Sequence, residues 1–113
     1  MRIVFYDPTA YWRRVLPEYL AIGKHEGKHQ VTVAETRQGL LEAVFKDPDA
    51  VVITNEIPAM HAVNQRGHRG SVILLTALNT EATAEQCGAA YADKALFPES
   101  LDKALVAIAE TVK

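Results

Sequence analysis

Polar residues that can take part in chemistry stand at the ends of several apolar runs. They are Asp7, Thr54, Glu56, Thr76 and Lys94. Carboxylates can bind a cation or transfer a proton, while a hydroxyl and an ammonium can together hold an anion. If the apolar runs are strands of one parallel sheet, these side chains meet at one edge. Structural uses remain open, since a threonine can bond its own turn and a lysine can pair with a nearby aspartate.

The segment HEGKH, residues 25 to 29, has the spacing of a zinc-hydrolase motif. On a helix, His25 and His29 would lie one turn apart and could bind zinc, with Glu26 as general base. The surroundings oppose a helix, because Gly23 and Gly27 disfavour it and the strand pattern VTVAE begins two residues later. We therefore expect a solvated loop here, with a zinc hydrolase as a remote alternative.

Strand and helix patterns alternate along the chain and must position these residues. Five short apolar runs predict strands, over 2–6, 31–35, 50–54, 71–77 and 89–92. Because each run is bounded by polar, glycine or proline residues, we expect the strands to be separated by short connections.

The intervening segments have helical patterns. Helices are predicted over 9–22, 37–46, 58–65, from Asn79 or Thr80 to Gln86, and from Pro98 onward. Thr36 is expected to cap the second helix, and Pro17 to kink the first helix or reset its start. The last helix carries one apolar stripe, formed by Leu101, Leu105, Ile108 and Val112.

Length and composition predict a single domain, residues 1–113. The 113 residues are 49 % hydrophobic with a formal net charge of −2, which is enough apolar material for a core. No run approaches the roughly 20 apolar residues of a membrane span, and MRIVFYDP lacks the layout of a signal peptide, so we expect a cytoplasmic protein. The single cysteine, Cys87, fits a reducing compartment, and no basic run supports direct nucleic-acid binding.

The alternation predicts the α/β class, with a flavodoxin-like, doubly wound parallel sheet of order 2-1-3-4-5 covered by helices on both faces. In such sheets the site lies beyond the carboxyl ends of the strands, near the point where strand order reverses. Asp7, Thr54, Glu56, Thr76 and Lys94 are all expected near that edge.

Four segments, IVFYD, PDAVVITNEIP, VILLTA and YADK, together resemble the receiver domain of bacterial response regulators, the CheY-like family. The resemblance spans nearly the whole chain. It implies that Asp7 belongs to an acidic pair, Thr54 stands at the phosphoacceptor aspartate, Pro58 is the proline that follows it, Thr76 is the hydroxyl switch, Tyr91 is the aromatic switch and Lys94 is the active-site lysine.

The sequence departs from that family where its phosphorylation chemistry is done. The chemistry needs a carboxylate nucleophile and a Mg²⁺ held by carboxylates. Thr54 has a neutral hydroxyl with no adjacent histidine, and Asp7 is flanked by Tyr6 and Pro8. Glu56 is a second carboxylate, but the family uses that position mainly for its backbone carbonyl. Because carboxylate ligands are few, we expect no cofactor and poor Mg²⁺ binding. The third and fourth helices are also shortened.

The resemblance and the departures indicate a degenerate receiver, or pseudo-receiver, that is not an enzyme. We expect a phosphorylation-independent protein-protein interaction module of signal transduction, with a protein partner in a signalling pathway. The resemblance also implies a homodimer through the fourth helix, fifth strand and last helix. The alternative is a module whose pocket at Asp7, Thr54, Thr76 and Lys94 binds a small ligand or anion, which neutral Thr54 would not repel. Neither nucleic acid nor membrane is expected as a partner.

Overall fold

A five-stranded parallel sheet lies at the centre of the structure, a computed structural model that describes residues 1–111. The strands are β1 (Arg2–Tyr6), β2 (Gln30–Ala34), β3 (Val51–Thr54), β4 (Val72–Thr76) and β5 (Ala90–Asp93). They lie in the order β2-β1-β3-β4-β5, and all four pairings between neighbours are parallel. The predicted flavodoxin-like order is therefore confirmed, with strand ends within about one residue of those expected.

Within the described residues, four α-helices connect the strands and a fifth follows β5. They are α1 (Ala10–Leu20), α2 (Arg37–Lys46), α3 (Ile57–Gln65), α4 (Glu81–Gln86) and α5 (Glu99–Thr111). Short 3₁₀ turns follow α1 and β5, and we label them η1 (Gly23–His25) and η2 (Lys94–Leu96). The third and fourth helices are short, at 9 and 6 residues, as predicted. In this part of the chain no helix has the length and apolar character needed to span a membrane.

The helices bury both faces of the sheet. One apolar cluster contains Val4 of β1 with side chains of α2, α3 and α4, and the other contains Ile3 and Phe5 with side chains of α1 and α5. Because both faces are covered, the central strands have continuous apolar sequences rather than alternating ones. In α5 the buried stripe consists of Leu101, Leu105 and Ile108, while Val112 lies outside the described residues.

Pro17 does not reset the start of the first helix. It lies inside α1, which runs without a break from Ala10 to Leu20. Its ring nitrogen cannot donate to the carbonyl four residues earlier, that of Arg13, so α1 continues with one hydrogen bond missing in its second half.

Two threonines precede helices, but only one of them caps with its side chain. Thr36 Oγ1 accepts a hydrogen bond from the Gly39 backbone N–H at 3.0 Å, as predicted for α2. Thr80 occupies the N-cap of α4 without a side-chain cap bond, and its hydroxyl instead donates to the Leu78 carbonyl at 3.4 Å. Thr80 therefore stands at the predicted N-cap position, but its side chain forms no capping hydrogen bond.

We expect Thr36→Ala to lower the free energy of unfolding by about 1 kcal/mol, because an N–H at the start of α2 loses its acceptor. The matched control, Thr80→Ala, removes no cap bond and should change stability by less than about 0.5 kcal/mol. Urea unfolding of the three proteins measures both values. Equal losses in the two variants would show that the Thr36 cap contributes nothing specific.

Candidate functional site

The carboxyl ends of the strands bring the sequence-predicted residues to one edge of the sheet. Strand register pairs Tyr6 of β1 with Thr54 of β3, so Asp7 continues from β1 at the level where β3 ends. On the other side, Thr76 of β4 pairs with Asp93 of β5, and Lys94 follows directly. The edge therefore contains the side chains that the strand pattern predicted there.

Asp7 and Lys94 form a buried ion pair at this edge. The ammonium Nζ of Lys94 lies 2.7 Å from Asp7 Oδ2, and the other carboxylate oxygen, Oδ1, accepts the Thr9 backbone N–H at 2.8 Å. The Asp7 side chain is fully buried and that of Lys94 is 12 % exposed. Both carboxylate oxygens thus have donors from the chain itself, and the lysine charge is neutralised inside the protein.

Residues of α1 surround the ion pair. Lys94 Nζ lies 4.9 Å from the centroid of the Trp12 ring, which favours the cation through the negative face of the indole. Arg13 Nη1 donates to the main-chain carbonyl of Asp7 at 3.0 Å. The ion pair therefore holds together three parts of the chain, namely the end of β1, the first turns of α1 and the start of η2.

Thr54, at the position of the phosphoacceptor in the resemblance, is fully buried. Its Oγ1 accepts a hydrogen bond from the Glu56 backbone N–H at 3.3 Å, which is the turn-closing role that threonine often has after a strand. The neighbouring Asn55 has its Oδ1 buried without a hydrogen-bond partner in the described part of the chain. The hydroxyl of Thr54 is thus used structurally.

Glu56 has its carboxylate engaged away from the Asp7–Lys94 pair. Its Oε1 lies 3.2 Å from Arg37 Nη2, at the start of α2. Burial raises the pKa of the Tyr6 phenol, and the nearby Glu56 carboxylate raises it further. Glu56 therefore has its own partner in Arg37.

The two switch-like residues, Thr76 and Tyr91, both form hydrogen bonds with the backbone of Leu78. Leu78 donates its N–H to Thr76 Oγ1 at 3.2 Å, and its carbonyl accepts the Tyr91 hydroxyl at 2.9 Å. Burial raises the pKa of the Tyr91 phenol, and the charges of Asp93 and Glu81 add to this, so the phenol keeps its proton and remains a donor. The loop after β4 is therefore tied at both of these residues.

A second polar cluster, which the sequence did not predict, connects the HEGKH segment to α5. His25 Nε2 lies 2.7 Å from Asp102 Oδ1, while Asp102 Oδ2 accepts from the Tyr19 hydroxyl at 2.6 Å and from Lys24 Nζ at 2.7 Å. His25 is only 9 % exposed, so the expectation of a solvated loop is wrong for this residue. The Asp102 carboxylate, 77 residues away in sequence, supplies the partner that allows its burial.

Hydrogen bonds control the charge of this cluster. Burial alone would raise the pKa of Asp102, but the hydrogen bonds from Lys24, Tyr19 and His25 outweigh that effect and lower it. Burial, together with the hydrogen bond to Asp102, raises the pKa of Tyr19 to about 12. Asp102 is therefore ionised and Tyr19 is a neutral donor at physiological pH.

The geometry gives no support to the zinc-hydrolase alternative. The segment forms η1 and a turn rather than an α-helix, and His25 Nδ1 faces His29 Nε2 at 3.0 Å. Glu26 is exposed. Within residues 1–111, no group of three or more histidine, cysteine, aspartate and glutamate side chains is arranged to hold a metal ion.

Comparison of structures identifies a similar fold. The chain is similar to the structure of the Vibrio cholerae chemotaxis protein CheY4, with a TM-score of 0.74 and 18 % sequence identity over 95 % of this chain and 97 % of that one. No protein-family model matches the sequence. No curated protein matches it either. The structural similarity shows that the fold is that of a CheY-like receiver domain, as the sequence resemblance predicted.

We expect Lys94→Met to lower the free energy of unfolding by about 3–5 kcal/mol, since it leaves the Asp7 carboxylate buried without its cation. The matched control is Lys24→Met, which removes an ion pair whose lysine side chain is 67 % exposed and should cost at most about 1 kcal/mol. The double variant Asp7→Asn with Lys94→Met should recover much of the loss. Similar costs for the two single variants in urea unfolding would contradict the buried-pair argument.

Proposed function

We propose that this chain is a degenerate receiver domain that works in signal transduction as a protein-interaction module, without phosphorylation of residue 54 and without enzymatic activity. The observation that carries the proposal is the complete internal pairing of Asp7 and Lys94 beside a fully buried Thr54, within a receiver-like fold. The proposal includes a cytoplasmic location.

The state of Thr54 supports the absence of phosphoryl transfer. A threonine hydroxyl becomes a useful nucleophile only when an adjacent base takes its proton. Here the hydroxyl is buried and accepts a backbone hydrogen bond, and the nearby carboxylate of Asp7 is already paired with Lys94. Phosphorylation as in receiver domains would need a carboxylate at position 54, where this chain has a threonine.

The donors around Asp7 support the absence of a resident Mg²⁺. Magnesium requires a near-octahedral set of oxygen ligands at short distance. The two oxygens of Asp7 already accept from Lys94 and from the Thr9 N–H, and Glu56 is paired with Arg37. A cation at Asp7 would compete with the Lys94 ammonium, which already neutralises that carboxylate.

The same pairing weakens the alternative of a small-anion site. An anion at this edge would be held chiefly by the charge of Lys94. That charge is neutralised by Asp7, and the side chains of Thr54 and Thr76 are buried. We therefore favour the interaction module over the anion-binding module.

The proposed binding surface lies on α4, β5 and α5, where the family resemblance implies dimerisation. Three large apolar side chains near these elements are more than half exposed, namely Leu78, Leu96 and Val106. The backbone of Leu78 is also held in place by hydrogen bonds with Thr76 and Tyr91, so this part of the surface is preorganised. Exposed apolar side chains on fixed backbone are what a protein partner can bury.

The test of the inactive site is titration with beryllofluoride and Mg²⁺ while backbone amide NMR shifts are recorded. We expect no saturable shifts around Asp7, Thr54 and Lys94 in the wild type. Thr54→Asp should be less stable without metal, because it adds a second buried carboxylate near Asp7, and it should gain stability with Mg²⁺. Thr54→Asn, of the same size but neutral, should lack the Mg²⁺ effect.

Two outcomes would count against the inactive site. Saturable shifts in the wild type would remove the claim that its chemistry is lost. Equal stability of Thr54→Asp and Thr54→Asn at all Mg²⁺ concentrations would show that residue 54 does not lie at a phosphoacceptor position.

The test of the surface is self-association by sedimentation velocity. If the homodimer forms through this face, Val106→Glu should weaken it by about tenfold or more, since a charge must then be buried at the interface. Phe45→Glu is the matched control, because Phe45 is 88 % exposed but lies on α2. A wild type that stays monomeric at all concentrations, or equal effects of both variants, would remove the homodimer from the proposal.

A further inference from the structure

A line of three side chains runs inward from the loop before β2 to the first turn of α5. His29 Nε2 lies 3.0 Å from His25 Nδ1, and His25 Nε2 lies 2.7 Å from Asp102 Oδ1. The remaining ring nitrogen, His29 Nδ1, is buried and has no hydrogen-bond partner in the described part of the chain. Neither the proposed function nor the zinc motif uses this arrangement.

The contacts limit where protons can sit. Asp102 is an acceptor, so His25 Nε2 carries a proton toward it. When both rings are neutral, His25 Nδ1 is a lone pair that accepts from His29 Nε2–H. When the pair holds one extra proton, His25 Nδ1–H donates to the lone pair of His29 Nε2 instead. The hydrogen bond between the rings is kept in both states.

A second extra proton cannot be accommodated. With both rings fully protonated, His25 Nδ1–H and His29 Nε2–H point at each other across 3.0 Å, so two donors and two positive charges meet. The His29 Nδ1–H, which already lacks an acceptor when the pair holds one extra proton, gains none from the second. His29 must then leave its position and reach water.

The charged and titratable groups around the two rings add to this effect. They are Tyr19 of α1, Lys24 of η1, Lys28 of the following loop, the amino group of Met1 before β1, and Asp102 of α5, with Glu99 of α5 facing Tyr19. Three of these groups are cationic at neutral pH, and Asp102 is the anion that directly contacts His25. A second charged imidazole is therefore opposed by its surroundings.

We propose that His25, His29 and Asp102 form a proton-sensitive latch, which holds the connection between α1 and β2 against α5 and opens when the second imidazole is protonated. The segment that opens is residues 23–29. Gly23 and Gly27 have φ values of 57° and 73°, and the segment leads directly into β2, the edge strand of the sheet. Acidification therefore loosens one edge of the domain while the central strands stay paired.

The direction of the pH effect follows from His29. Burial lowers its pKa below the ordinary value of 6.5, and the Met1 amino group, His25 and Lys28 lower it further. The closed latch thus binds a proton less readily than the open segment does. Closure is fully favoured above pH 6.5 and is lost as the pH falls from there through the lower pKa of folded His29.

The experiment is amide hydrogen exchange of the full chain between pH 8 and pH 5, corrected for intrinsic exchange rates. We expect protection of residues 23–30 to fall by about tenfold for each pH unit below 6.5, the slope of one proton, until the pKa of folded His29 is reached. The amides of β1, β3 and β4 should show no such slope. An equal slope throughout the chain would overturn the latch.

His29→Gln is the diagnostic variant, because a glutamine can still contact His25 Nδ1 but does not titrate. It should abolish the slope at residues 23–30, whereas His61→Gln, at an exposed histidine of α3, should keep it. A slope that survives His29→Gln would overturn the proposal. A wild-type measurement covers the case in which this variant fails to fold: ¹⁵N spectra of the imidazoles should show His29 becoming doubly protonated as protection is lost. Titration of His29 without loss of protection would equally overturn the latch.

Discussion

The buried ion pair of Asp7 and Lys94 is the interaction on which the candidate site depends. A carboxylate without solvent contact costs several kcal/mol unless a cation and further donors compensate it. The compensation comes from two ends of the fold, because Asp7 follows β1 and Lys94 follows β5, with β3 and β4 between these strands. The pair thus crosses the carboxyl-terminal end of the sheet from β1 to β5. The carboxyl ends of these two strands, and of β3 and β4 between them, must keep their relative positions for the pair to form.

A chain of aromatic contacts connects the Asp7–Lys94 pair to the second polar cluster, the one around His25 and Asp102. Lys94 lies over Trp12, the Trp12 and Phe97 rings meet edge to face at 5.0 Å, and Phe97 meets Tyr19 at 5.2 Å. The Tyr19 hydroxyl then donates to Asp102. Edge-to-face pairs favour particular ring orientations, so these aromatics hold α1 and the start of α5 in a defined arrangement. Both polar clusters rely on that arrangement for their distances.

The predictable part of this molecule is the part that local pattern controls. Strands buried on both faces appear as apolar runs, so the number and order of the strands follow from the sequence. The cap of α2 is equally local, because Thr36 accepts from Gly39, which is only three residues away. The burial of His25 could not be predicted in this way. Lysines and glycines flank it, which is typical of a solvated loop, but its environment is decided by Asp102, 77 residues away. The only sequence signal was an acidic residue beside the buried Leu101 in the last helix.

The neutral side chain of Thr54 and the Asp7–Lys94 pair together determine the balance of charge at the carboxyl-terminal end of the sheet. A carboxylate at position 54 would compete with Asp7 for the Lys94 ammonium and would leave excess negative charge that a metal cation would have to balance. With a neutral threonine there, one carboxylate meets one ammonium, the hydroxyl closes its own turn, and the edge needs no ion from solution. A neutral residue at position 54 therefore favours the internally paired arrangement of Asp7 and Lys94.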